Sequence, residues 1–249
     1  MNMVPSARMP RVALVTGGGR RIGAALVRML AAQGFAVAIH CRGSVEDAEA
    51  LLTEIGGHGC VLQADLARED EVAPLIEQVV ARLGPVGVLV NNASVFERDD
   101  WHDATRESWD RHLEPNLRAP FVLMQCFARQ MPADSEGMVL NLLDQRVWNL
   151  TPFFTSYTVS KAALWTLTQT MALALAPRIR VNAIGPGPVL PATGQSEAEF
   201  AAMCARTPLG IGASPDEVAR AALALLLLPS VTGQMLALDG GQHLNWRSA

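Results

Sequence analysis

The sequence predicts a doubly wound α/β domain: a mainly parallel seven-stranded sheet with helices on both faces. Three observations carry this expectation. Short apolar runs alternate with longer stretches of helical spacing along the chain. The runs are apolar throughout rather than every second residue, as strands buried on both faces must be. The length is 249 residues, half of them apolar and 18% charged, enough for one such domain with a sizeable core.

The elements follow in order. Val12–Val15 is a first strand, ending in Thr-Gly-Gly-Gly, and Ile22–Gln33 has helical spacing through Ile22, Leu26, Met29 and Leu30. Ala36–Ile39 is a second strand, and Ser44 with Asp47 three residues on has the pattern of a capping box opening the next helix. Val61–Gln63 reads as a third strand, Glu69–Leu83 as a helix and Val86–Val90 as a fourth strand. A long helical region from about Thr105 to Met131 is interrupted at Pro115. Met138–Leu143 and Ile179–Ala183 are strands flanking a helix at Tyr157–Ala176. Pro215–Leu228 opens with proline in its first turn, and Met235–Leu238 is the last strand. Residues 1–10 read as an N-terminal tail and 11–249 as a single domain. Within it, 188–212, rich in Pro, Gly, Thr and Ser around a short helical stretch, reads as a mobile flap.

Composition excludes several classes. The formal charge of −4 is spread along the chain, with no basic stripe for nucleic acid or an anionic membrane. Cys41, Cys60, Cys126 and Cys204 form no CxxC pair, and the five histidines make no HExxH, so neither a disulfide scaffold nor a metal site is expected. The apolar run Ala221–Leu228 is too short to span a bilayer, and no secretory signal opens the chain. The expectation is a cytoplasmic protein acting on a small molecule.

Thr16-Gly17-Gly18-Gly19-Arg20-Arg21-Ile22-Gly23 joins the first strand to the first helix, the context of a dinucleotide-binding turn. Glycines there admit a pyrophosphate to the backbone, and the helix N-terminus offers free N–H groups. Two cations, Arg20 and Arg21, oppose the helix dipole unless an anion is present, so at least one is expected to meet phosphate. The second strand runs into His40-Cys41-Arg42-Gly43-Ser44 with no carboxylate for a ribose 2′-OH. Arg42 suits a 2′-phosphate, and Ser44 is read as the helix cap, a second contact, or both together. NADPH is favoured over NADH.

The 20 basic residues are 19 arginines and one lysine, Lys161, and Tyr157 is the only tyrosine. At i and i+4 the two share a helix face. A free phenol titrates near ~10, and a cation close by is expected to lower that value, making Tyr157 a serviceable acid. In a chain that uses arginine everywhere else, the single lysine marks a place where a planar guanidinium does not serve.

Together TGxxxRIG at 16–23, Asp65-Leu66, Asn91-Asn92-Ala93-Ser94, Asn116, the YxxxK of 157–161 and Gly185-Pro186-Gly187 resemble the short-chain dehydrogenase/reductase family, in order and spacing, from about Arg11 to Leu244. The resemblance implies a Rossmann fold. Cofactor contacts are implied at Gly17, Arg20, Arg21, Ile22, Gly23, Arg42, Ser44, Asp65, Leu66, Asn91, Ala93, Ser94, Pro186 and Gly187. It makes Tyr157 the acid, Lys161 both its pKa-lowering neighbour and a ligand of the nicotinamide ribose, and Asn116 the residue that bends a helix and holds a proton-relay water. It also implies a homotetramer packed through the long helices and the segment Gln234–Trp246.

Most of that family has glycine in place of Arg21 and serine in place of Asp144. Arg21, Ser94, Phe96, Asp144, Tyr157 and Lys161 instead resemble the pteridine reductase and dihydromonapterin reductase branch. That likeness implies a pterin stacked on Phe96, contacts from Arg21 and Ser94, and a proton delivered to ring nitrogen by Asp144 with Tyr157. The leading expectation is an NADPH-dependent reductase taking a dihydropterin to the tetrahydro form. A short-chain carbonyl reductase, acting on a 3-oxoacyl thioester or ketone, is the alternative. A cofactor-binding regulator without turnover is the third reading, which the presence of Tyr157 and Lys161 disfavours.

Overall fold

A computed structural model describes residues 4–192 and 194–244. Seven strands form one sheet: β1 (Val12–Val15), β2 (Ala36–Cys41), β3 (Gly59–Gln63), β4 (Val88–Asn91), β5 (Gly137–Leu142), β6 (Ile179–Pro186) and β7 (Met235–Leu238). Their order is β3-β2-β1-β4-β5-β6-β7, and every pairing is parallel, so the sheet is wholly rather than mainly parallel. This is the doubly wound Rossmann-like architecture. The strand order reverses between β1 and β4, where diverging loops open a crevice at the carboxyl edge.

The helices are α1 (Arg21–Ala32), α2 (Val45–Glu54), α3 (Glu69–Val72), α4 (Leu75–Leu83), α5 (Arg106–Leu113), α6 (Ala119–Gln130), α7 (Thr155–Leu175), α8 (Glu197–Ala205) and α9 (Pro215–Leu227). Successive β1 residues feed opposite layers, as strand geometry requires. Ala13 and Val15 pack with α1, α2 and α9, while Val12 and Leu14 pack with α4, α6 and part of α7. None of the described helices is long and apolar enough to cross a membrane.

Two local expectations are corrected. The stretch 69–83 is two helices, because Pro74 ends the first turn and starts the second. The Ser44 side chain makes no capping hydrogen bond at α2. The expected interruption at Pro115 is present, as a five-residue π-helical segment, Glu114–Arg118, between α5 and α6. Within the N-terminal segment, Met9 is 4% exposed and belongs to the core. The segment 188–212 contains α8, opened by a capping box of Ser196 and Glu199.

Candidate active site

The crevice begins at the turn after β1. Gly17 takes φ +60°, and its N–H donates to His40 Nδ1 at 3.2 Å. His40 is buried, which pushes its pKa down, so it stays neutral: Nδ1 accepts, and Nε2–H donates to the Ala64 carbonyl at 3.1 Å. The Thr16 hydroxyl accepts from the amides of Asn92 and Ala93, and Asn92 Nδ2 donates to the carbonyls of Thr16 and Gly17. These bonds lock the turn to the end of β4. Helix α1 packs onto it so closely that a Cβ at Gly23 would lie 2.1 Å from the Gly17 oxygen. No side chain caps α1, leaving its first amides free for a ligand.

A cavity of about 430 Å³ opens over this turn, and Gly17, Arg20, Arg21, Ile22, Gly23, Arg42, Asp65, Leu66, Ala93 and Ser94 all line it, with His40 and Asn92. Arg20 is paired with Asp47 of α2. Arg21 holds φ +52°, a conformation glycine adopts without cost, and its Nη2 donates to the Pro191 carbonyl at 2.8 Å. It thereby ties the turn to the 188–212 segment. Two expected contacts are placed elsewhere. Asn91 is 3% exposed, its Nδ2 donating to Asn141 Oδ1 across the sheet at 2.8 Å, so Asn92 takes the cavity position instead. Ser44 stands at the start of α2, away from the cavity lining.

A second cavity of about 280 Å³ shares Arg21, Ile22, Asn92 and Ser94 with the first and is walled by Phe96, Asp144, Tyr157, Lys161, Pro186 and Gly187. Tyr157 and Lys161 lie on one face of α7, both buried. Tyr157 Oη donates to Asp144 Oδ2 at 3.0 Å, while Asp144 Oδ1 accepts the Arg146 amide at 2.8 Å. The carboxylate is therefore both the cap of the turn after β5 and the partner of the phenol, one oxygen for each. Lys161 Nζ donates to the Leu142 carbonyl at 2.8 Å.

The electrostatics correct one expectation. In the free chain, burial and then the Asp144 carboxylate push the Tyr157 phenol well above its usual range, against the charge of Arg146. Burial drops the Lys161 ammonium itself to about 8, although Asp144 works the other way.

Asn116 is fully buried in the π segment. Its Oδ1 accepts from the Val95 amide at 2.8 Å and the Ser94 hydroxyl at 3.2 Å, and its Nδ2 donates to the Val95 carbonyl and Ser160 Oγ. It clamps the loop after β4 to α7. Phe96, in that loop, stacks on Phe154 with centroids 4.7 Å apart and meets Tyr157 edge-on at the same distance. One face of the ring is thus already covered by Phe154, whose φ of +58° is strained for a residue with a side chain.

Several site residues escaped sequence reasoning. Asp99 is buried and accepts from Ser156 Oγ at 2.5 Å and Ser108 Oγ at 2.8 Å. His112 Nδ1 lies 2.7 Å from Ser156 Oγ, and its Nε2 accepts the Glu97 amide. This network fixes the first turn of α7, next to Tyr157. No motif announces it, because its members come from three segments. His40 had a signal in its place at the end of β2, beside Arg42.

A family model described as enoyl-(acyl carrier protein) reductase, adh_short_C2, matches residues 18–243. The 3-oxoacyl-[acyl-carrier-protein] reductase FabG of Staphylococcus epidermidis is 33% identical over 244 residues, covering 95% of this chain and all of the relative. Among solved structures, FolM alternative dihydrofolate reductase 1 from Brucella canis, complexed with NADP, is 47% identical, with TM-score 0.90 over 95% of this chain and 96% of that one. The same protein from Brucella suis, also with NADP, is 46% identical, with TM-score 0.92 over 97% and 98%. The sheet order, the glycine turn and the Tyr157–Lys161 pair agree with these likenesses, and the chain belongs to the short-chain dehydrogenase/reductase family.

Proposed function

We propose that this chain is an NADPH-dependent reductase of a dihydropterin. The observation that carries the reading is the 3.0 Å hydrogen bond from Tyr157 Oη to Asp144 Oδ2, at the wall of a cavity shared with Arg21, Ser94 and Phe96. The likeness to the two NADP-bound FolM dihydrofolate reductases supports it. The residues fit the cofactor: an uncapped helix N-terminus, a neutral His40 holding the Gly17 amide, and Arg20, Arg21 and Arg42 around one cavity. Gly17, Ile22 and Gly23 would meet the pyrophosphate, Arg42 the 2′-phosphate, Asp65 and Leu66 the adenine, and Ala93, Pro186, Gly187 and Lys161 the nicotinamide half. Bound NADPH supplies the hydride.

The protein's own part is the proton. Reducing a C=N bond adds hydride to carbon and a proton to nitrogen. Tyr157 Oη is the donor that faces the cavity, and Asp144 is the group in contact with it that can relay the replacement proton. Asn116 holds the loop carrying Ser94 and Phe96 against α7, so the flat wall keeps its register with the phenol. Phe96, backed by Phe154, is a stacking surface for a planar heterocycle. Assembly as a homotetramer is part of the proposal. Val159 and Leu173, exposed on α7, support it, while Trp246 of the expected interface lies outside the described residues.

The likeness to FabG favours a second reading, reduction of a 3-oxoacyl thioester. Asp144→Ser separates the two. Under the pterin reading it cuts dihydropterin turnover by about 10²-fold or more and leaves carbonyl reduction unchanged or improved. Equal losses on both substrate classes would remove the reason for preferring a pterin.

A further inference from the structure

Arg146 follows Asp144 by two residues, and its amide is the donor that Asp144 Oδ1 accepts, so one turn presents both a carboxylate and a guanidinium. The Arg146 Cζ lies 4.7 Å from the ring centroid of Phe154, 5.2 Å from that of Phe96 and 5.9 Å from that of Tyr157. Neighbouring Arg98 also lies over Phe153 and Phe154, but it is paired with Asp100. Arg146 pairs with no carboxylate among the described residues, and its Nη1 is buried without a hydrogen-bond partner. A buried guanidinium N–H without a partner costs stability, and aromatic faces offset only part of that cost. Groups kept in this condition cluster where function needs them.

We infer that Arg146 is a further positioning residue of the active site: its unneutralised guanidinium holds the wall of Phe96, Phe154 and Tyr157 together and stabilises the phenolate left when Tyr157 gives up its proton. This rests on Tyr157 being the proton donor. In that step the Tyr157 O–H bond breaks, the proton passes to the substrate and the electron pair stays on oxygen. Arg146 exchanges nothing.

Two cations lie 5.9 Å from the Tyr157 ring centroid, Lys161 Nζ and Arg146 Cζ. Lys161 is turned to the Leu142 carbonyl, to which its Nζ donates at 2.8 Å. A guanidinium keeps its charge throughout. The other charged or titratable groups around the phenol are Asp144, in contact with it; His112 of α5, its ring 6.0 Å away; Asp99, behind Ser156; and Arg98, beyond Phe154. Of these, Asp144 and Asp99 disfavour the phenolate, and Arg98 is neutralised by its pair. Arg146, whose Nη1 has no hydrogen-bond partner, is the cation over this wall that no acceptor engages among the described residues.

Tyr157 is the only tyrosine, so its ionisation can be read alone. Growth on difluorotyrosine replaces this one residue with a more acidic phenol, whose absorbance is then titrated in the folded parent, Arg146→Gln and Arg146→Lys proteins. A charge about 6 Å away, at an effective dielectric of ~20, moves such a midpoint by about two pH units, and partial solvent screening halves this. The expected result is a midpoint about one unit higher in Arg146→Gln and nearly restored in Arg146→Lys. In unlabelled Arg146→Gln, kcat is expected to fall roughly tenfold, with little change in KM or in the NADPH dissociation constant. If Arg146→Gln does not fold, Arg146→Met, which keeps the apolar contact with the rings, takes its place. An unmoved midpoint in a folded neutral variant overturns the role of Arg146. A moved midpoint with unchanged kcat would instead overturn Tyr157 as the proton donor.

Discussion

Lys161 offers a stability experiment whose sign runs against intuition. A buried ammonium that titrates at about 8, against 10.5 for an unburied lysine, holds its charge in the folded protein at a cost of about 3 kcal/mol at neutral pH. Between those two values the unfolded chain binds more protons than the folded one, so this contribution to stability rises with pH from about 8 upward and levels off above 10.5. Lys161→Met removes the charge and fills the same space, but leaves the Leu142 carbonyl without its 2.8 Å donor, a loss of about 1–3 kcal/mol. The balance is a stabilisation of about 0–2 kcal/mol at pH 7, or up to roughly 8 °C in Tm for a domain of this size. Thermal denaturation of the cofactor-free parent and variant at pH 7 and again near pH 10 measures it. The variant is expected to be the more stable at pH 7, to lose that advantage at the higher pH, and to be inactive at both. A Lys161→Met protein less stable than the parent at pH 7 would show that the ammonium is not held at a cost, and would refute the reasoning.

Three further outcomes are expected. Tyr157→Phe abolishes turnover, by about 10²–10⁴-fold, while NADPH binding followed by fluorescence stays within a few-fold of the parent. Arg42→Ala weakens NADPH binding by roughly tenfold or more and leaves NADH almost unaffected, as direct titration of both nucleotides would register. Gly23→Ala forces a methyl to 2.1 Å from the Gly17 oxygen, so either the turn or α1 must move. A stability loss of about 1–3 kcal/mol and weakened nucleotide binding are expected, read from denaturation curves and the same titrations.

The fold was legible because the signals that specify it are local. All residues of β1 and β2 are buried, so both strands read as continuous apolar runs, and the glycine turn sits where a strand must hand over to a helix. Tyr157 and Lys161 were legible for the same reason, since i and i+4 on a helix are neighbours whatever surrounds them. What depended on distant partners was not. Whether Asn91 or Asn92 faces the cavity is decided by the pairing of β4 with β5, which sets Asn91 opposite Asn141. Phe154 and Arg146 reach Phe96 only through the folding of the 143–154 loop, and no spacing in the sequence announces that meeting. The burial of Tyr157 and Lys161 was not legible either, because it is set by the packing of the whole layer and not by their spacing. In the folded chain burial acts on both groups, and Asp144 rather than Lys161 is the phenol's contact.

Proton delivery to a reduced pterin ring is the proposed step that sets this short-chain reductase apart from a carbonyl reductase. Loss of NADPH absorbance, measured with the purified protein on a panel of dihydropterins, ketones and 3-oxoacyl thioesters, separates the two. The expected result is turnover of the dihydropterins, with little or none of the carbonyl panel. Turnover of ketones or 3-oxoacyl thioesters alone would contradict it: Tyr157 would remain the acid, but Asp144 and Phe96 would lose the roles proposed for them.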